Sequence, residues 1–242
     1  MVNTTQRTLR KNLKLVHLLI TDKSCYRIVN QVLKDHLTYL DASALADLYD
    51  CVSNLEKENR AGILIETGCA LGGSALTITA SKRITRPFYI YDVFGMIPPP
   101  SEFDGSDVHT RYNVIASGKS HGLGKRKYYG YEENLLEHVR ETFESYGYPV
   151  EKHKVHLVKG LFQNTLSINE PVAFAHLDCD WYESVLLCLQ RIEPHLVKSG
   201  TLVIDDYYHW SGCQKAVEYY FADKKSRFKF VKKSRLHIVR IV

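Results

Sequence analysis

The chain has 242 residues, of which 45% are hydrophobic and 24% charged, with a net charge of +5 at pH 7. That size fits one domain, or one domain with an added subdomain, and buries a substantial core. The composition is ordinary for a soluble globular protein, and no apolar run approaches membrane-spanning length. Much of the positive charge sits late, in Lys224-Lys225-Ser226-Arg227 and Lys232-Lys233-Ser234-Arg235. No interleaved aromatic motif accompanies it, so it reads as a solvated face and no nucleic-acid partner is expected. The six cysteines (Cys25, Cys51, Cys69, Cys179, Cys188 and Cys213) show no CxxC or metal-finger spacing. Reduced thiols in a cytoplasmic protein follow, with Cys69 and Cys188 in the core. Arg7, Arg10, Lys11 and Lys14 flank an apolar run at 15–20 that is too short for a signal peptide.

In chain order, residues 25–58 read as two helices with Leu40-Asp41-Ala42-Ser43 between them. From residue 62 short β-branched runs alternate with helical patterns. Strands are expected at 62–67, 88–92, 155–159, 173–178 and 201–205, each apolar on both faces as buried parallel strands are. Helices are expected at 74–82, 134–146 and 182–196. In the last, Val185, Leu186, Leu189, Ile192 and Leu196 form one stripe, and Gly200 ends the helix. Two further strands, 228–231 and 236–242, are separated by four residues, which allows a hairpin but no helical crossover. The expected architecture is a doubly wound parallel sheet with an antiparallel edge. Between the second and third strands lies a long irregular stretch, 94–131, holding Pro98-Pro99-Pro100 and six glycines. Its aromatic and charged content argues for a functional loop. A flexible substrate lid over 97–131 is expected, with His109, Arg111 and Tyr112 as acceptor contacts.

Two strand ends carry the chemistry. LDCDWYES (177–184) and VIDDY (203–207) both read as an apolar strand closing in carboxylates. Neighbouring parallel strands would deliver Asp178, Asp180, Asp205 and Asp206 to one sheet edge, where open α/β folds place ligands. Acids gathered there repel unless a cation joins them, and all-oxygen donors suit a hard ion such as Mg²⁺. The alternative for any one of them is a helix cap. At the first strand end, Glu66-Thr67-Gly68-Cys69-Ala70-Leu71-Gly72-Gly73-Ser74 has Gly-x-x-x-Gly-Gly spacing, which is not the dinucleotide pattern. An acid two residues before the first glycine repels a pyrophosphate but attracts the sulfonium or ammonium of S-adenosylmethionine. Asp92 ends the second strand, where a carboxylate can accept from ribose hydroxyls. The expected cofactor contacts are Glu66, Gly68, Ser74 and Asp92, with Gln163 of the third strand end near the adenine.

From about residue 25 the chain resembles the macrocin O-methyltransferase (TylF-like) family. The resemblance rests on ETGCALGGSA (66–75), YDVFGMIPPP (91–100), KGLFQNTL (159–166), LDCDWYES (177–184) and IDDYYHWSGCQKAVEYY (204–220). It implies a Rossmann-like class I methyltransferase fold: a mostly parallel seven-stranded sheet, an antiparallel C-terminal hairpin and helices on both faces. Residues 59–242 would form that domain, with a helical segment over 1–58 serving as lid or oligomer contact. The activity implied is Mg²⁺-dependent methyl transfer from S-adenosylmethionine to a hydroxyl of a sugar or glycosylated small molecule. Asp178, Asp205 and Asp206 would be metal ligands and Asp180 the general base. A homodimer is the expected assembly. Departures from the family pattern are Cys179 for a glycine, Leu71 for an arginine and a longer loop over 97–131. Competing readings are a nicotinamide-dependent oxidoreductase, a catalytically silent scaffold, a nucleic-acid methyltransferase and a methyltransferase of a non-sugar molecule.

Overall fold

The computed structural model describes residues 13, 15–124 and 126–242; the basic residues Arg7, Arg10, Lys11 and Lys14 lie outside them. After a helical stretch over 15–21, two helices precede the sheet, α1 (Lys23–Lys34) and α2 (Ala42–Lys57), and each starts at an aspartate whose side chain caps it. Asp22 Oδ1 accepts from Ser24 N and Cys25 N at 3.0 and 2.9 Å. Asp41 Oδ1 accepts from Ser43 N and Ala44 N at 2.8 and 3.0 Å, satisfying two of the free N–H groups of the first turn. The sheet follows as β1 (Ile63–Thr67), β2 (Phe88–Asp92), β3 (Val155–Lys159), β4 (Val172–Leu177), β5 (Leu196–Ile204), β6 (Phe228–Lys232) and β7 (Leu236–Arg240). Interleaved helices are α3 (Gly73–Ser81), α4 (Ser106–Ala116), α5 (Leu135–Ser145), α6 (Phe162–Thr165), α7 (Tyr182–Ile192) and α8 (Ser211–Tyr220).

Strand order is β3-β2-β1-β4-β5-β7-β6, with β1 to β5 parallel and β7 antiparallel to both its neighbours. The order reverses between β1 and β4, so a crevice opens beyond their carboxyl ends. Successive strand residues feed opposite faces. Leu64, Phe174 and Val203 join one core with Leu45, Leu48 and Val52 of α2, Leu76 and Ile78 of α3 and Phe143 of α5. Ile65, Ala175 and Ile204 join the other with Val185, Leu189 and Ile192 of α7 and Val217 of α8. The leading helices thus share a core with the sheet. Among the described residues no helix is long and apolar enough to cross a membrane.

Two expectations are corrected. Helix α7 stops at Ile192, because Pro194 turns the chain into a short 3-10 segment, and β5 already begins at Leu196. Gly200 therefore lies inside β5 instead of ending a helix. Ser199 beside it has φ +61°, and the pairing of β4 with β5 jumps from Leu196 to Thr201, so 197–200 bulge out of the ladder. The stretch 94–131 is not irregular throughout, since it contains α4. That helix buries only Val108 and Ile115, one heptad apart, which leaves no readable stripe.

Candidate active site

Two adjoining cavities occupy the switch-point crevice. One, of about 630 Å³, runs between the end of β2 and the β3–α6 turn and includes Leu161, Phe162 and Gln163. The other, of about 320 Å³, lies under Tyr39, Arg111, Tyr128 and Trp210 and includes Asp205, Asp206 and Arg235. Gly68, Asp92, Tyr129, Asp178, Asp180 and Trp181 line both.

The turn after β1 is built by packing. Gly68 has φ +84°, and a Cβ there would lie 1.8 Å from the Asp178 carbonyl oxygen, so the backbones of two strand ends touch only through glycine. Asp92 braces this turn: Oδ2 accepts from Cys69 N at 2.7 Å and Ala70 N at 3.3 Å, and Oδ1 from Phe94 N at 2.6 Å. Burial pushes its carboxyl above the ordinary value against these three donors. Ser74, in the first turn of α3, lines the smaller cavity, and Gln163 the larger, its carbonyl held by Arg191 at 3.1 Å. Glu66 lines neither cavity. It is fully buried, and its Oε1 meets Nδ1 of the equally buried His176 at 2.8 Å. One of its oxygens is thus met from within the sheet, while Oε2 is buried without a hydrogen-bond partner.

The four acids converge as expected, in unequal surroundings. Asp205 Oδ1 accepts from Arg235 Nε at 2.7 Å and stands 3.6 Å from His176 Nε2. Burial alone would raise its carboxyl, but His176 and Arg235 outweigh it and hold it low. Burial likewise opposes charge on His176, yet Asp205 and Glu66 lift its imidazole to about 10. Asp178 is driven well up by burial and by Asp205, and Asp206 by burial together with Asp180, Asp178 and Asp205. Asp206 Oδ2 is buried without a hydrogen-bond partner. Asp180 has left-handed backbone, φ +55°, and its Oδ1 accepts from Trp210 Nε1 at 3.0 Å. Burial raises it to about 6 against that bond.

His176, Asp178 and Asp205 each offer a ligand atom within 4.8 Å of the others, so the tightest trio among the described residues holds His176 in place of Asp206. A protonated imidazole has no lone pair to give, which leaves the carboxylates as donors. Crowded, mutually repelling oxygens and the orphaned Asp206 oxygen fit a hard cation.

The 94–131 segment is tied down at one end by two carboxylates that cap distant helices. Asp104 Oδ1 accepts from Tyr182 N at 2.8 Å at the start of α7, and Asp107 Oδ2 from Ser211 N at 3.0 Å at the start of α8. Trp181 Nε1 adds a bond to Pro98 O at 3.0 Å. Of the expected acceptor contacts, Arg111 lines the smaller cavity, its guanidinium 5.7 Å from the Tyr128 ring centre. His109 is exposed on α4, and neither it nor Tyr112 is in the wall of either cavity. Arg235 corrects the reading of the late basic run as a solvated face: it is buried, only 9% exposed, and enters the site. The site residues that sequence reasoning missed are Arg235, hidden among surface cations, together with Trp210 and His176. His176 had one legible signal, as the lone polar residue in the otherwise apolar β4.

The switch-point crevice, the glycine turn without the dinucleotide spacing and the terminal antiparallel hairpin define a Rossmann-like class I methyltransferase fold. Residues 34–231 match the macrocin O-methyltransferase (TylF) family model, and the chain belongs to that family. It is 30% identical over 189 residues to the 8-demethyl-8-(2,3-dimethoxy-alpha-L-rhamnosyl)-tetracenomycin-C 4'-O-methyltransferase of Streptomyces olivaceus, covering 76% of this chain and 67% of that one. It is 27% identical over 197 residues to the demethyldecarbamoylnovobiocin O-methyltransferase of Streptomyces niveus, covering 76% and 68%. Among solved structures, the O-methyltransferase NovP shares the fold at a TM-score of 0.71 and 23% identity, over 85% of this chain and 83% of that one. The chain is an O-methyltransferase, and the oxidoreductase reading is set aside.

Proposed function

We propose that the chain methylates a hydroxyl of a sugar or glycosylated small molecule, with S-adenosylmethionine as donor and Mg²⁺ held by Asp178, Asp205 and Asp206. The observation that carries this reading is the position of Asp180, whose residue lines both cavities and which stands among the acids. Bound S-adenosylmethionine would supply the methyl group, and bound Mg²⁺ would act as a Lewis acid toward the acceptor oxygen.

The protein's own part is positioning and proton transfer. Gly68 and Asp92 line both cavities, Ser74 the smaller and Gln163 the larger, so the donor would lie across the two, with Glu66 paired to His176 behind them. Asp180, oriented by Trp210, is the general base; raised to about 6, it is mostly ionised at neutral pH yet basic enough to accept a proton. Tyr39, Tyr129, Trp181 and Trp210 give the acceptor side an aromatic wall that excludes water and suits a sugar face. The 97–131 segment closes that side, with Arg111 as its contact in place of His109 and Tyr112, which line neither cavity. The relatives named above support the acceptor class, one acting on a rhamnosyl-bearing molecule. Val16 and Ile20, 54% and 77% exposed, support a homodimer, which light scattering tests.

Methyl-labelled S-adenosylmethionine incubated with a panel of sugar nucleotides and glycosides tests the reaction. Label is expected on a sugar hydroxyl, and loss of transfer on chelation is expected with it. Transfer confined to non-sugar acceptors would overturn the acceptor class, and undiminished transfer in EDTA would overturn the metal role.

A further inference from the structure

We infer that Arg235 is a resident counter-cation that competes with a divalent ion for Asp205 and thereby sets how tightly the acid cluster holds that ion. The inference rests on the metal reading proposed above and concerns a residue that reading does not use. Arg235 stands just ahead of β7, donates from Nε to Asp205 Oδ1 at 2.7 Å and from Nη1 to Ser234 O at 3.1 Å. A guanidinium is charged at every accessible pH. Two protein cations therefore address one oxygen of Asp205, the other being His176 at 3.6 Å.

The guanidinium cannot retreat by a simple swing of the hairpin. Its turn is pinned to α2, where Asp47 Oδ2 accepts from both the backbone N, at 3.2 Å, and the hydroxyl of Ser234. Lys233 N donates to Arg235 O at 3.0 Å across the same turn. The contrast with the adjacent acid is direct. Asp206, buried to within 8% exposure, keeps an oxygen with no partner in the same cavity. A divalent ion entering the cluster finds Asp206 free and Asp205 already engaged, and it meets a like charge on Arg235.

Two consequences follow for binding. The ion is exchangeable, because the protein carries its own partial substitute for it. Asp205 is also the weaker of the two neighbouring ligands, although both come from one strand end.

Mn²⁺ titrated into the full chain, without cofactor or acceptor, and followed by the free-ion electron paramagnetic resonance signal, tests this. Arg235→Gln is expected to tighten Mn²⁺ binding about tenfold or more, since a unit charge a few ångströms from the ion is removed from a poorly solvated site. Arg235→Lys keeps the charge and should stay near the wild-type value. In the otherwise native chain, Asp206→Asn should lose more affinity than Asp205→Asn, and in the Arg235→Gln background the Asp205→Asn loss should grow. A folded Arg235→Gln protein that binds Mn²⁺ equally or more weakly would show that Arg235 orients Asp205 as a ligand, and would overturn the inference. If Arg235→Gln does not fold, an Asp205→Asn loss equal to or above that of Asp206→Asn overturns it independently. Failure of the metal reading itself looks different: Asp178→Asn and Asp206→Asn would both bind Mn²⁺ as the wild type does, and both ideas would fall together.

Discussion

Asp92 on the donor side, and Asp178 and Asp206 on the acceptor side, are three acids at the same sheet edge with different completion. Asp92 takes three backbone N–H groups, shared between its two oxygens. Asp206 keeps a buried oxygen unmatched, and Asp178 and Asp206 repel one another. Completed acids hold the scaffold in shape, because removing them orphans their partners. Incomplete acids are a standing demand for something from outside the chain. Both kinds are written as Asp at a strand end, so only their surroundings separate frame from working site.

The sharpest way to break this comparison is to remove the outside partner. Chelation with EDTA is expected to abolish turnover while calorimetric binding of S-adenosylmethionine is unchanged, since Asp92 on the donor side is completed by the protein. Next in size, Asp180→Asn should lower kcat by roughly 10²–10⁴-fold, the range of a missing general base, with Mn²⁺ affinity retained. A large loss of Mn²⁺ affinity in that variant would make Asp180 a ligand instead. On the completed side, Asp92→Ala should weaken S-adenosylmethionine binding by roughly 1–3 kcal/mol through lost charge-assisted bonds. It should also lower the melting temperature, because Cys69 N, Ala70 N and Phe94 N lose their acceptor. Lost affinity with unchanged melting would mean that the turn does not depend on Asp92.

Smaller again is the effect at the edge of the acceptor side. Asp104→Ala removes the cap that α7 borrows from the 94–131 segment, a change of about 0.5–2 kcal/mol by analogy with ordinary N-caps. Limited proteolysis within that segment should become faster and remain slowed by bound acceptor. Cleavage indifferent to both would leave the segment without a closing role.

The strands and the convergence of the four acids were legible because each rests on local pattern: short apolar runs, two of which run straight into paired carboxylates. Helix α4 was not, since two buried residues seven apart leave no stripe, and its anchoring depends on Asp104 and Asp107 reaching helices some eighty and a hundred residues away. Arg235 was invisible for a related reason. Within KKSR nothing separates the cation that enters the site from those left in water, because the distinction is made by the turn that Asp47 pins. Pairings between distant elements decide such roles, and one-dimensional spacing does not carry them.

Two buried histidines differ instead in the charges around them and give the smallest prediction. His176 sits between Glu66 and Asp205, and the two acids lift it from 6.5 to about 10 against its burial. Its stabilising contribution is therefore complete below pH 6.5 and fades only as pH rises toward 10. His237, on β7, has one weak contact, Nδ1 to Cys51 Sγ at 3.5 Å, and no partner for Nε2. Burial, reinforced by Lys233, lowers it from 6.5 to about 4. Between those values the unfolded chain binds the proton and the folded chain does not, so stability must fall as pH falls through that window. The two windows lie on opposite sides of pH 6.5 and do not mask each other. Urea midpoints measured from pH 7 to 4.5 should therefore drop more steeply for the wild type than for His237→Phe, which keeps a ring but cannot titrate. Parallel profiles would mean that His237 takes its proton without cost, and that the strand opens there more readily than its burial implies.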